Sequence, residues 1–305
     1  MMLLDFISRT EISFPVNHSF HGCFNGSYMI QGDNVVCIAR HCMDIESKTR
    51  YPSKLNRLVW FQFPISDLSK KQIWIQDSNP LINDSNCQCH VSFTAGFEDP
   101  RIGSSNWMTC VGLDTNDRWQ PEMVLCEIDL PENKIKTAHS LYIENTPFTP
   151  QKNWLVLHEL EEHIHMIHSL QPLTIVSVSK RTGRGNHILI KENKLLNRYD
   201  QVHGGACLYL EDRECYLVTC RIVEKHQYKH SLWILLDKEY SPICVSKPFT
   251  FTDHRVHNGF FYEICMSLIR KNKDEIYVGI TLGDQHMYIY TIALSTIPFY
   301  VNPST

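Results

Sequence analysis

The sequence predicts an all-β fold, and a five-bladed propeller is the architecture that its spacing favours. Short runs of about four to eight residues, rich in β-branched and aromatic side chains, recur along the chain between polar turns. Sustained helical periodicity is nearly absent, and even the segment 152–168 is interpreted as strands. Twenty strands in five four-stranded blades would leave about 15 of the 305 residues for each strand and its turn, which fits the spacing.

Examples of the strand-like runs occur throughout the chain. They are 34–40, 57–63, 72–76, 123–128, 173–178, 187–190, 215–220, 231–236, 276–280 and 287–292. A sandwich or a barrel shares this many-stranded pattern, so both stay open here. No crisp repeat appears, which disfavours a WD40 or kelch array. Because no Pro/Gly/Ser-rich linker divides the chain, we expect residues 1–305 to form a single propeller domain.

Composition excludes several classes of function. Hydrophobic residues make up 43% of the chain and charged residues 20%, enough for a folded core. Lys and Arg number 29 against 33 Asp and Glu, whereas proteins that bind nucleic-acid backbones normally carry a basic excess. No apolar run approaches the length of about 18 residues that spans a membrane. The start of the chain lacks the pattern of a secretory signal, so we expect a cytoplasmic protein.

The cysteines and histidines do not form a recognisable metal motif. Cys87 and Cys89 have no matching second pair for a four-ligand zinc site. His158 and His163 are five residues apart, not the four of a zinc-protease helix, and His163 and His165 are expected to be an ordinary strand pair. We therefore expect no metal and no cofactor. Several cysteines lie in apolar runs and are expected to be buried, reduced thiols: Cys37, Cys126, Cys207, Cys220, Cys244 and Cys265.

The segment 96–102 is the strongest candidate for chemistry. Glu98 and Asp99 are adjacent carboxylates, followed by a stiff proline and by Arg101. Neighbouring carboxylates tend to raise one pKa and a close guanidinium tends to lower it, which is the competition that an acid working near neutral pH needs. The alternative interpretation is a solvated turn with a local ion pair.

Other blocks of polar residues stand at strand ends or turns. In a propeller such ends converge on one axial mouth, so we expect these blocks to meet there. They are 24–30, 32–33 with Arg40, 151–154, 203–206, 228–230, 246–249, 262–263 and 283–284.

Taken in order, these motifs resemble the five-bladed propeller enzymes of glycoside hydrolase family 130 and the related glycosyltransferase family 108. Those enzymes are β-mannoside phosphorylases, transferases and a minority of hydrolases. The resemblance runs from about residue 24 to residue 292. Its most specific element is Glu98-Asp99-Pro100-Arg101-Ile102, supported by Lys152-Asn153-Trp154, Gly204-Gly205 and Gly283-Asp284.

The resemblance implies a role for each matched residue. Asp99 would donate the proton to the glycosidic oxygen, directly or through a sugar hydroxyl. Trp154 is expected to be a sugar platform, because it adjoins Lys152. The residues implied to bind the mannose are Asn25, Arg40, Glu98, Arg101 and Asp284. Those that match the side where phosphate or a nucleotide-linked phosphate binds are Lys152, Tyr228 and His230.

Two positions depart from the family pattern. The usual Arg-Gly-Gly-Thr-Pro stretch reads His203-Gly204-Gly205-Ala206-Cys207, and Arg221 stands where a histidine is common. Both departures lie where the attacking group is handled. His203 and Arg221 are cationic or potentially cationic, which suits an anion, so both join the expected phosphate-binding set.

The chemistry of the three reaction types favours phosphate-linked transfer. An inverting hydrolase needs a second carboxylate to activate water, and only Glu159 and Glu263 stand as alternatives for that role. A phosphorylase needs cations to place its anionic nucleophile. We therefore expect inverting transfer of a β-linked mannosyl residue between an oligosaccharide and inorganic phosphate, mannose 1-phosphate or GDP-mannose. An inverting β-mannoside hydrolase and a non-catalytic glycan-binding propeller are the alternatives.

Overall fold

The computed structural model describes residues 2–15, 17–19, 22–42, 56–83, 96–103, 106–112, 120–146, 152–224, 227–251 and 263–300. Cys87 and Cys89, named above, lie outside these ranges. The described residues form strands and four short 3₁₀ helices, Ile65–Ser69, Lys194–Leu196, Glu211–Arg213 and Leu294–Thr296. None of their helices is long and apolar enough to cross a membrane.

The strands are numbered in chain order. The first are β1 (Met2–Leu3), β2 (Ser8–Ser13), β3 (Cys23–Gln31), β4 (Asn34–Cys42), β5 (Asn56–Pro64), β6 (Gln72–Trp74), β7 (Asn79–Pro80), β8 (Ile82–Asn83) and β9 (Phe97–Ile102). Next come β10 (Trp107–Gly112), β11 (Glu122–Asp129), β12 (Lys134–Ser140), β13 (Tyr142–Ile143), β14 (Leu155–Glu159), β15 (His163–Leu170), β16 (Leu173–Ser179), β17 (Arg184–Lys191) and β18 (Gln201–Leu210). The last are β19 (Cys215–Glu224), β20 (Gln227–Asp237), β21 (Pro242–Ser246), β22 (Phe249–Thr250), β23 (Glu263–Arg270), β24 (Glu275–Leu282), β25 (His286–Ala293) and β26 (Phe299–Tyr300).

These strands form five sheets, which are the blades of a five-bladed propeller. From the axis outward, blade 1 is β3-β4-β5-β7, blade 2 is β9-β10-β11-β12-β8 and blade 3 is β14-β15-β16-β17-β13. Blade 4 is β18-β19-β20-β22-β1 with β21 and β26 added, and blade 5 is β23-β24-β25-β2-β6. The inner strands β3, β9, β14, β18 and β23 contact one another around the ring. The predicted all-β fold and propeller architecture are confirmed, while the boundaries of the single domain stay a prediction.

Distant parts of the chain complete the ring. Strand β2 pairs antiparallel with β25, from Ser8 opposite Thr291 to Ile12 opposite Met287, so blade 5 contains both early and late residues. Strand β1 extends blade 4 alongside β22. Strands β6, β7 and β8 follow one another in sequence, yet they join blades 5, 1 and 2. Each covers a sheet edge that would otherwise present unpaired backbone groups.

The core lies between the blades. Among the described residues, five clusters of buried apolar side chains each fill the space between two neighbouring sheets. In β19, Tyr216, Val218 and Cys220 pack towards blade 3, whereas Cys215 and Leu217 pack towards blade 5. Because both faces of a middle strand are buried, its sequence is a continuous apolar run rather than an alternating one. Full burial of each such aliphatic side chain stabilises the fold by about 1.5–3 kcal/mol.

We expect Gly279→Ala to lower the free energy of unfolding by about 1–3 kcal/mol, as overpacked cores do. A Cβ at Gly279 would lie 2.4 Å from Ser267 Oγ and 2.5 Å from Cδ2 of the Tyr28 ring, which joins blades 5 and 1 at close range. Urea unfolding measures the change. The exposed strand residue Asn186, changed to Ala, is the control and should stay within about 0.5 kcal/mol of the parent. Equal stability of the two variants would contradict this packing.

Candidate active site

Every inner strand carries one extra residue relative to its neighbour. The irregularities lie at Asn25-Gly26 in β3, Asp99-Pro100 in β9, Leu157 in β14, Gly205-Ala206 in β18 and Met266 in β23. Such bulges re-aim side chains and are frequent beside active sites. The amino-terminal ends of these parallel inner strands meet at one mouth of the axis, here called the upper mouth. Gly32-Asp33 is the tip of the β3–β4 hairpin at the other end of β3, so the expectation that this block joins the others at one mouth is wrong.

The bulges of β3 and β9 bring Asn25 and Asp99 together. Both residues have left-handed backbones, with φ of 53° and 51°. Asn25 Nδ2 donates to Asp99 Oδ1 at 2.6 Å. Pro100 sits inside the bulge, where its missing N–H removes no ladder hydrogen bond. Below the bulge, Ser27 Oγ accepts from the Ile102 N–H at 3.0 Å and fixes the two strands to each other.

Glu98 lies between two cations at this mouth. Arg40 Nη1 is 2.9 Å from Glu98 Oε2 and 3.6 Å from Asp99 Oδ1. Lys152 Nζ makes a short ion pair with the other oxygen, Glu98 Oε1. The Glu98 side chain is 5% exposed, so the two partners compensate a carboxylate that water reaches poorly, whereas Lys152 is 42% exposed.

Asn56 holds the other side of Arg40. Its Oδ1 accepts from Arg40 Nε at 2.8 Å, and the residue is buried. Gly96 has φ of 68°, and a Cβ there would lie 2.1 Å from the Asn56 carbonyl oxygen, so only glycine permits this approach. Burial alone would lower the pKa of Arg40, but the charges of nearby carboxylates, Glu98 and Asp99 first, outweigh it and raise the pKa. The guanidinium therefore remains charged.

Arg101 crosses the axis below these groups. Its Nη2 donates to Asn153 Oδ1 at 2.9 Å and lies 3.5 Å from the Gly204 carbonyl, which joins blade 2 to blades 3 and 4. Asn153 has φ of 67°, a conformation that asparagine tolerates better than most residues. Arg101 is buried, and its expected role in binding the mannose stays a prediction.

Asp284 supplies a second carboxyl group near Asp99. It stands in the turn after β24 with φ of 52°, and its Oδ1 is buried and has no hydrogen-bond partner among the described residues. Burial and the Asp99 carboxylate raise the pKa of Asp284 to about 6, although Arg40 and a hydrogen bond with Asn25 oppose the shift. The Oδ1 of Asn25 is likewise buried without a partner in the described part of the chain. The two free acceptors suit hydroxyl donors of a ligand.

The other side of the mouth is cationic. Arg221 in β19 lies opposite His203 in β18 and is buried. Burial and the Arg221 charge lower the pKa of His203, so this imidazole is neutral at pH 7. The charge expected for His203 is therefore absent, and Arg221 and Lys152 supply the positive charge.

The remaining expected residues are placed as follows. His230 and the backbone of Tyr228 lie at the start of β20, near the strand partner of Arg221, and the Tyr228 side chain lies outside the described residues. Trp154 is 1% exposed and packs edge-to-face against His168 at 4.7 Å. Its ring belongs to the core between blades 2 and 3 and has no open face, which corrects its interpretation as a sugar platform.

Both glutamates considered as a second carboxylate have partners in the structure. Glu159 pairs with Lys180 at 2.9 Å at the far end of blade 3. Glu263 Oε2 accepts a hydrogen bond from the Phe251 N–H at 2.9 Å, which links the start of β23 to the residue that follows β22. No group of three or more metal-binding side chains occurs in the described ranges, and His165 Nδ1 makes a hydrogen bond with the Tyr240 hydroxyl.

The sequence reasoning missed two residues that hold the site. Asn153 lies inside the quoted Lys152-Asn153-Trp154 motif, so its position was a usable signal. The role of Asn56 could not be predicted from the sequence, because its contact with Arg40 is recognised only once strands β4 and β5 are paired.

No protein-family model matches the chain, and no curated protein matches it. Solved structures do. The β-1,2-mannobiose phosphorylase from Listeria innocua, in complex with β-1,2-mannobiose, has a TM-score of 0.60 at 15% identity, covering 92% of each chain. A mannose phosphorylase from Leishmania mexicana, in complex with phosphate, has a TM-score of 0.58 at 10% identity, covering 99% of this chain and 94% of that one.

A third neighbour comes from the GH130 family of mannoside phosphorylases, whose hydrolases target β-1,2-mannosidic linkages in Candida mannan. Its TM-score is 0.54 at 10% identity, with 92% of this chain and 86% of that chain covered. These neighbours are of the kind that the sequence motifs resemble. At such identities the likeness concerns the fold, and the five-bladed propeller implied by the resemblance is confirmed.

We expect Asp284→Asn to stabilise the protein relative to the parent at neutral pH but not at low pH. A carboxyl whose pKa is about 6 in the folded state and about 3.9 in the unfolded state costs folding free energy as the pH rises between these values. The cost amounts to about 3 kcal/mol at most, and asparagine does not titrate. Urea unfolding of both proteins between pH 4 and pH 7.5 measures the difference.

The control is Asp33→Asn, at the exposed tip of the β3–β4 hairpin. Its difference from the parent should not vary in this way. If the Asp284→Asn difference also stays constant across the range, the Asp284 carboxyl is not held neutral by its surroundings.

Proposed function

We propose that this protein is an inverting β-mannoside phosphorylase or mannosyltransferase, with Asp99 as the proton donor. The observation that carries the proposal is the placement of Asp99 at the propeller hub, hydrogen-bonded to Asn25 and beside the Arg40 guanidinium. The structural likeness to two mannose-active phosphorylases supports the same class of carbohydrate enzyme.

The donor sugar would lie between blades 1, 2 and 5. Free acceptors at Asn25 and Asp284 and donors on Arg40 match the hydroxyl groups of a mannose residue. A buried polar atom without a partner costs about 1–3 kcal/mol, which a bound sugar would recover. At a pH below about 6, where Asp284 is mostly protonated, its carboxyl group could also donate a hydrogen bond to a sugar hydroxyl.

Phosphate would lie on the side of Lys152 and Arg221. Cations orient an anionic nucleophile without a general base, so the attack on the anomeric carbon needs no second carboxylate. In that step the C1–O bond to the leaving sugar breaks, a C1–O bond to phosphate forms, and Asp99 gives its proton to the leaving oxygen. Transfer from mannose 1-phosphate is the reverse of this step.

An inverting hydrolase is the second candidate, and Asp284 is the observation that favours it. A carboxyl with a pKa of about 6 is ionised at pH 7 in most molecules and could activate water. Efficient release of mannose from manno-oligosaccharides in phosphate-free buffer would select the hydrolase over the phosphorylase.

We expect Asp99→Asn to lower kcat/KM for mannosyl transfer at least about 100-fold, the usual contribution of a general acid. The assay incubates the protein with mannose 1-phosphate and manno-oligosaccharides and measures released phosphate. Asp33→Asn, an aspartate at the opposite end of the hub strands, should retain activity within about twofold.

If Asp99→Asn turned over its substrates as fast as the parent, the assignment of Asp99 as the proton donor would be contradicted. Absence of turnover in the parent with any of these substrates, together with binding of mannan, would instead identify a non-catalytic glycan-binding propeller.

We expect Lys152→Met to raise the KM for inorganic phosphate about tenfold or more and to leave the KM for the oligosaccharide nearly unchanged. The loss is that of one charge-assisted hydrogen bond to phosphate, and Glu98 keeps Arg40 as a partner. The matched control is Lys238→Met, since Lys238 also lies near a glutamate, Glu214, at 3.5 Å, but on the outside of blade 4. Equal phosphate KM values for the parent and Lys152→Met would contradict the placement of phosphate.

A further inference from the structure

A cavity of about 590 Å³ lies around the propeller axis at the end opposite the upper mouth, and it is here called the lower cavity. All five inner strands line it with residues towards their carboxyl ends. The lining residues are 28–30, 101–103, 155–159, 206–209 with Glu211, and 266–270. The volume falls within the range of small-molecule sites.

The lower cavity is separate from the candidate active site. Arg101 forms its upper end, where Nη1 of Arg101 donates to Met266 Sδ at 3.9 Å. Arg40, Asp99 and Lys152 take no part in its described lining. What this cavity binds therefore does not depend on the proposed function.

Every inner strand contributes a half-buried apolar side chain to the walls of the lower cavity. These are Ile30, Ile102, Val156, Leu208 and Ile269. Along β23 the cavity extends from Met266 to Arg270, and four residues of a strand span about 13 Å. Because it is favourable to remove apolar surface from water, the walls suit an elongated apolar body such as an unbranched aliphatic chain.

Arg270 supplies a hydrogen-bond donor at the lower rim of the cavity. It is the last residue of β23, and its Nη2 donates to Asp212 Oδ1 at 2.8 Å and to the backbone oxygen of Lys273, which fixes the guanidinium. Its Nη1 is buried and has no hydrogen-bond partner among the described residues. Because an anionic oxygen makes the stronger, charge-assisted hydrogen bond to a guanidinium, a carboxylate is the group that best fits Nη1.

The charges of the lining favour an anion over a cation. Arg101 and Arg270 place a guanidinium at each end of the cavity. Glu159 also lines it, but its carboxylate pairs with a lysine side chain at 2.9 Å. Glu211 and Asp212 are exposed, so water and salt screen their charges. A cationic head group would therefore be repelled at both ends of the cavity, whereas a carboxylate would be attracted.

We propose that the lower cavity binds an amphipathic carboxylate with an unbranched aliphatic chain. The chain lies along the axis between the apolar walls, and the carboxylate accepts a hydrogen bond from Arg270 Nη1 at the rim. In this orientation the charged head group keeps its contact with water, and the chain displaces water from the walls.

Titration calorimetry of the full chain with decanoate, 1-decanol and decylamine tests the proposal, with each probe kept below the concentration at which it aggregates. The three probes share one aliphatic chain and differ only in the head group. We expect one decanoate to bind per chain, at least tenfold more tightly than either of the other probes. Equal affinities, tighter binding of decylamine, or no binding of decanoate overturns the proposal.

Arg270→Gln removes the guanidinium at the rim and leaves the cavity open. We expect decanoate to bind about tenfold more weakly to this variant, while the affinity for 1-decanol stays within twofold of the parent. The matched control is Arg213→Gln, because Arg213 also lies near Asp212, at 3.9 Å, but is not in the described lining. This control should bind decanoate as the parent does. A preference for decanoate that survives in Arg270→Gln overturns the proposal.

Leu208→Trp narrows the cavity and should weaken decanoate and 1-decanol alike, by at least tenfold. Ile243→Trp, at an exposed position of β21, is its control and should leave both affinities within twofold. Unchanged affinities in a folded Leu208→Trp variant would place the binding elsewhere and overturn the proposal. If Leu208→Trp does not fold, Arg270→Gln still decides, because Arg270 is partly exposed at the rim.

Discussion

The ion pair between Arg40 and Glu98 holds the hub in its observed arrangement. A carboxylate exposed to 5% is expensive to bury alone, and each of its oxygens meets a cation from a different blade. Arg40 is fixed in turn by Asn56, so the carboxylates of blade 2 can occupy only one orientation relative to blade 1. Asp99, the next residue after Glu98, is thereby aimed at Asn25.

The bulges make this arrangement compatible with a regular propeller. A regular inner strand would alternate its side chains between the two neighbouring blades and leave none for the axis. One extra residue in each inner strand interrupts the alternation near its upper part and then restores it. The core clusters between blades are therefore continuous, while Asn25 and Asp99 turn inward. The cost is a left-handed backbone at both residues, which asparagine and aspartate tolerate better than branched side chains.

The all-β class could be predicted, because middle strands buried on both faces are continuous apolar runs, whereas the inner strands β3, β9, β18 and β23 are not among the predicted runs. The cluster of polar strand ends was predictable once these strands were arranged in a ring. The closure of blade 5 by β2 was not predictable, since the pairing of Ser8 with Thr291 joins residues far apart in sequence. The neutral state of His203 depends on its register with Arg221, which a sequence does not contain. Trp154 was expected to contact sugar because the polar Lys152 and Asn153 precede it, but its ring packs in the core.

The charged side chains at the upper mouth are therefore unevenly distributed: the carboxyl groups lie on one side, and Lys152 and Arg221 lie on the other. Asp99 and Asp284 lie with Arg40, and burial first, then the Asp99 carboxylate, raise the pKa of Asp284 to about 6 despite the nearby guanidinium. On the other side, Arg221 is buried and Lys152 shares the Glu98 carboxylate with Arg40. An anion entering the mouth would be repelled by the first side and attracted by the second. A sugar phosphate has the same asymmetry, with neutral hydroxyls at one end and the anion at the other. Under the proposed function, its charge distribution would set its direction in the mouth before any specific hydrogen bond forms, with the anomeric carbon between Asp99 and the cations.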